Sequence, residues 1–156
     1  MMVGMYSVVL TIHSWMRWLT LALAAAATFN ASRPPAEGAK ALPGRWWDTF
    51  LMLAVDLQVF FGLVLYFGLS PFTKEAMQNV SLAIATPALR FWAVEHAGGM
   101  FLSVLLVRMG RVLAANAKTP AAARNRRFVC FAIATMGMLL SIPWPGLRNG
   151  RPLFRF

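Results

Sequence analysis

YSVVLTIHSWMRWLTLALAAAATF, residues 6–29, decides the fold. It is apolar over at least the roughly 20 residues that a helix needs to cross a bilayer. Apart from the phenol of Tyr6, only His13 and Arg17 within it are ionisable. Such groups are costly in hydrocarbon, so they are functional hypotheses by default. Working outward, residues 48–69, 91–115 and 128–145 form three further apolar stretches of similar length, separated by short segments rich in Arg, Pro, Gly and Asn. Short connections make consecutive helices antiparallel neighbours. The expected fold is therefore all-α: a single integral membrane domain over 1–156, built as a four-transmembrane-helix up-down-up-down bundle. With 59% apolar and 13% charged residues, the chain lies outside ordinary soluble usage, which supports a lipid bilayer as its solvent.

A net charge of +10 would point to nucleic acid in a soluble protein. Here the positives lie mainly between spans. Arg33, Lys40 and Arg45 occupy the first loop, and Arg108, Arg111, Lys118, Arg124, Arg126 and Arg127 surround the third. The opposite side carries Lys74, Arg90, Arg148, Arg151 and Arg155. The excess assigns loops one and three to the cytoplasm and both termini to the outer side. The charge is read as topology and headgroup contact, with no nucleic acid as partner. Met1–Met5 has no cationic segment of the kind that opens a secretory signal, so the first stretch is read as a retained helix. The lone Cys130 is read as packing. No Cys-x-x-Cys-His sequence for covalent haem attachment, phosphate loop or zinc-ligand spacing is present.

The chain has two histidines, His13 and His96. His13 lies seven positions after Tyr6 and His96 five after Phe91, a depth difference of ~3 Å at 1.5 Å per residue. Their helices run parallel and sit diagonally in the expected bundle, so one porphyrin at its centre can receive an axial nitrogen from each. The expectation is one non-covalent haem b with His13 and His96 as its iron ligands. The plainer alternative is a pair of ordinary interhelical hydrogen bonds. Gly98 and Gly99 would leave room beside His96 for the macrocycle. Met100 shares the face of His96 but ranks behind His13 as a ligand, because Met mostly fills space in this chain. Arg17, one turn from His13, is expected beside the haem and paired with Asp56, which comes out at a similar depth on the second span. Glu95 completes the expected polar network, pointing about 100° away from His96.

The combination of His13-Ser14-Trp15-Met16-Arg17-Trp18, Asp56-Leu57-Gln58, Gly62-Leu63-Val64-Leu65-Tyr66, Glu95-His96-Ala97-Gly98-Gly99-Met100 and Ile142-Pro143-Trp144 resembles a group of small bacterial four-helix membrane proteins labelled cytochrome b, across nearly the whole chain. More distantly it resembles the cytochrome b561-like bundle, which holds two haems on four histidines and exchanges electrons with quinones; two histidines limit this chain to one haem. The resemblance implies a single-haem b-type cytochrome passing electrons, as a subunit of a larger electron-transfer complex in a bacterial inner membrane, with periplasmic termini. A quinone has no dedicated signal in the residues. The competing expectation is a cofactor-free structural, accessory or assembly subunit among other membrane subunits. Either way the chain reads as an electron carrier or accessory subunit rather than a stand-alone catalyst.

Overall fold

The structure, a computed structural model, describes residues 2–34 and 45–155; Lys40 and the side chain of Arg45, both used in the topology argument, lie outside what is described. Helix α1 (Met2–Ser32) is followed by α2 (Arg45–Leu63), which runs on as a π-helical turn, Val64–Leu69. Three short helices then form a connection, α3 (Pro71–Gln78), α4 (Val80–Ala85) and α5 (Pro87–Arg90). A second π-helical turn, Phe91–Glu95, leads into α6 (His96–Ala115), and α7 (Pro120–Ser141) completes the set. No strand occurs among the described residues.

Three segments, Gly4–Ser32, Trp46–Leu69 and Pro87–Ala115, are long and apolar enough to cross a membrane. The long helices expose large apolar side chains, among them Leu19, Leu53, Phe60, Leu105 and Met136, as lipid contact requires. Helix α7 differs from the stretch expected at 128–145. It starts at Pro120, because Thr119 caps it by accepting a hydrogen bond from the Ala122 amide at 3.2 Å and proline suits the first helical position. Its early turns thus carry Arg124, Arg126 and Arg127. It stops at Ser141, because Pro143 forces Ile142 into an extended conformation (φ −79°, ψ 136°). Caps also explain the connection that sequence reading left as a polar segment. Ser70 and Asn79 accept from the amides of Thr73 and Leu82 at 3.5 and 2.9 Å, and prolines open α3 and α5.

Helix α7 packs along both α6 and α1, and α1 packs along α2, whereas α1 and α6 make little direct contact. The α6–α7 seam is built from small residues. A Cβ added to Gly99 would lie 2.1 Å from Ser141 Oγ, one on Gly137 would lie 2.6 Å from Ser103 Oγ, and one on Gly110 would lie 2.8 Å from Cys130 Cβ. Close backbone approach of this kind is how helices associate where burial of apolar surface gives no driving force. Gly110→Leu is expected to cost about 1–3 kcal/mol, since the atom it meets is fixed to the α7 backbone. Thermal unfolding in detergent checks this against Gly98→Ala, where an added Cβ meets nothing within 4 Å. Equal midpoints for the two variants would remove the seam from the account of stability.

The closely packed core occupies one end of the molecule. Ala24, Ala27 and Ala31 of α1 meet Leu51 and Val55 of α2, Val107 of α6, and Phe131, Ala134 and Met138 of α7. Small alanines let α1 sit close there. Toward the other end, where His13 and His96 lie, bulkier aromatics and the two π-helical turns hold the helices apart. π-Helical turns often mark functional sites.

Candidate functional site

A cavity of about 340 Å³ opens in that loosely packed end, within the size range of cofactor and small-molecule sites. His13 and His96 both line it, with ring centroids 6.4 Å apart and planes at 74°. Side chains that the sequence matched by depth alone therefore approach one another edge-on in the wall of this cavity.

Each imidazole has a distinct hydrogen-bonding state. His96 Nδ1 lies 2.8 Å from the carbonyl of Ser141, and a carbonyl only accepts, so Nδ1 carries the proton and the neutral ring keeps its lone pair on Nε2. A ring N–H given to a backbone carbonyl is the usual support behind a metal-bound histidine. Around His13, the Gln58 amide nitrogen reaches both the His13 carbonyl, at 3.1 Å, and Nε2, at 3.3 Å. His13 Nδ1 and Gln58 Oε1 are buried without hydrogen-bond partners. Gly62 faces the same ring, where an added Cβ would come within 3.3 Å of Cε1. Phe91 and Trp92 pack against His96 at 6.0 and 5.5 Å between centroids, and Tyr66 Oη donates to the Ala93 carbonyl at 2.8 Å, tying the two π-helical turns together.

The pair suits bis-imidazole ligation of one iron. Metal–imidazole bonds of about 2 Å, plus roughly 1 Å from each nitrogen to its ring centroid, span ~6 Å. On His96 the nitrogen free to ligate would be Nε2. On His13 the Gln58 amide donates to Nε2, which puts the ring proton on Nδ1, so Nε2 could ligate only once Gln58 gives up its contact.

Of the other expected members of the site, Arg17 lines the cavity, whereas Asp56, Glu95, Gly98 and Gly99 do not. Arg17 does not pair with Asp56: matched depth gives the level of a residue but not the face of the helix it occupies. Arg17 Nη2 donates instead to the Leu153 carbonyl at 2.6 Å, and Asp56 pairs with Arg108. Glu95 bonds Arg90 at 2.8 Å, so Arg17, Asp56 and Glu95 do not form a network. Gly99 serves the seam with α7, and Gly98 is exposed and does not line the cavity, so neither makes room for a macrocycle there. Met100 does line it.

The C-terminal segment completes the site, which sequence reading missed. The indole nitrogens of Trp15 and Trp18 donate to the carbonyls of Arg155 and Leu153 at 2.8 and 3.1 Å, and Phe154 stacks on Trp18 at 5.6 Å. The segment is thereby strapped to α1, which brings Arg151 and Arg155 to the cavity. On α2 and the π-helical turn that continues it, Gln58, Gly62 and Tyr66 recur every four residues in an otherwise apolar span, a signal that could have located this wall. Among the described residues, no group of three or more His, Cys, Asp or Glu could hold a metal ion. No protein-family model, curated protein or solved structure matches this chain.

Proposed function

We propose that the chain is a single-haem b-type membrane cytochrome, with the iron held between His13 and His96. The observation that carries the reading is the 6.4 Å separation of the chain's two imidazoles in the wall of one cavity. Bound there, haem supplies a one-electron redox couple. The protein's part is to fix both ligands and shield them from water. Ser141 sets the tautomer and basicity of His96 through its carbonyl. Gln58 orients His13, while Trp92 and Phe91 restrict the His96 ring. Absorption spectra of the purified protein, oxidised and reduced, test the proposal: the low-spin bands of bis-imidazole haem support it, and a protein that neither carries nor takes up haem overturns it.

In this reading α1, α2, α6 and α7 form the up-down-up-down bundle of a bacterial inner-membrane protein, with the termini and the histidine pair toward the periplasmic side. After Lys118→Cys, an impermeant maleimide should fail to label intact cells, whereas Arg148→Cys should be labelled. The reverse pattern would move the electron-exchange side to the cytoplasm.

Membership of a larger complex is the second element of the proposal. Asp56 and Arg108 pair inside two apolar spans, yet both side chains are about half exposed. Charges at such a position are costly against lipid, and neighbouring membrane subunits would cover them. The same observation is what favours the alternative, a cofactor-free accessory subunit.

A further inference from the structure

Arg17 of α1 and Arg151 and Arg155 of the C-terminal segment line one cavity, and among the described residues no aspartate or glutamate lines it with them. Three of the chain's five Asp and Glu side chains are committed elsewhere, Asp48 to Arg127, Asp56 to Arg108 and Glu95 to Arg90. Like charges gathered around an apolar space are unfavourable unless acceptors or an anion offset them. The protein offsets them in part. One Arg17 nitrogen reaches the Leu153 carbonyl, but its Nε is buried with no hydrogen-bond partner. Arg155 lines the same cavity as Arg17. The guanidinium carbon of Arg151 lies over the rings of Phe72 and Trp92, at 5.3 and 5.1 Å, contacts that bring it no carboxylate.

We infer that this end of the cavity is a carboxylate-binding subsite, completed by the C-terminal segment, for an amphiphile whose apolar body lies between the helices. A planar guanidinium matches a carboxylate through two parallel hydrogen bonds, and Val55, Val59, Leu65 and Phe101 supply apolar walls. The identity of the apolar body rests on the haem reading: there the carboxylates are propionates. A fatty acid presents the same chemistry.

The test titrates the purified full-length protein with iron protoporphyrin IX and with its dimethyl ester, and in parallel with the fluorescent fatty acid cis-parinaric acid and its methyl ester. The expected result is that the free acid of iron protoporphyrin binds about tenfold or more tightly than the ester, as charge-assisted hydrogen bonds imply. That preference should disappear in Arg151→Gln/Arg155→Gln, with helix content by circular dichroism confirming the fold. Because the ester comparison uses the unaltered chain, it does not depend on a variant folding. Equal binding of acid and ester by the unaltered chain, in both ligand pairs, overturns the subsite. So does an undiminished preference in the double variant. If neither porphyrin gives a low-spin spectrum, the haem reading fails by itself. An arginine-dependent preference for parinaric acid over its ester then keeps the subsite and assigns it to fatty acids.

Discussion

His13→Ala and His96→Ala are each expected to abolish the six-coordinate low-spin spectrum of the haem-loaded protein, while Met100→Ala preserves it. Low-spin iron of this kind requires two strong axial ligands, and the chain contains no third histidine to replace either one. Met100 lines the same cavity, but in the proposed haem site the ligands are the two imidazoles, 6.4 Å apart between centroids. The two losses should differ in a second respect. His96 is held by a backbone carbonyl that no side-chain substitution removes, whereas His13 depends on Gln58. Gln58 occupies the lone pair of His13 Nε2, so Gln58→Leu should free that atom and leave the low-spin spectrum unchanged. Imidazole added to the medium should restore the low-spin bands in the two alanine variants. A single histidine variant that keeps the unaltered spectrum without added imidazole would exclude bis-histidine ligation.

The parts of this site that were legible in the sequence are those set by translation along a helix. Counting residues from the span starts placed His13 and His96 at one level, because rise per residue is uniform. Rotation about the helix axis was not legible in the same way. Arg17 and Asp56 share a level but belong to different faces, and Asp56 turns outward to Arg108. The roles of Gly98 and Gly99 failed for a related reason. Adjacent residues differ by about 100°, so Gly99 meets Ser141 on α7 while Gly98 meets nothing.

Other misses had signals that could have been used. Thr119-Pro120 is a helix start, and reading it would have moved α7 back from residue 128 and put Arg127 inside a helix. The strap formed by residues 151–155 had no comparable signal. It has no periodicity and owes its place to indole and guanidinium donors on α1 that are far away in sequence. Its three aligned carbonyl contacts exist only after α1 and α7 are packed.

Arg127→Met is expected to destabilise the protein by about 3–5 kcal/mol, and Asp48→Leu by a similar amount, whereas the two together should leave stability near that of the unaltered chain or above it. Arg127 is 1% exposed and Asp48 5%, and Nη2 of the first meets Oδ1 of the second at 2.9 Å. Two ions withdrawn from water this completely gain from their attraction little more than desolvation costs, so exchanging both for apolar groups is cheap. Losing one leaves the other buried and uncompensated. Asp48 lies in the first turn of α2, where the helix dipole also favours a negative charge. Position makes the effect large as well. The pair joins α2 to α7, two helices that otherwise make little contact, at the end of the molecule opposite the cavity. Loss of the pair should loosen the packed end first, which would then be seen as lower unfolding midpoints with the histidine pair still in register. Denaturant titration of the four chains in one detergent measures the coupling. If the double variant is as unstable as the sum of the single ones, the two charges act independently and the pair does not tie α2 to α7.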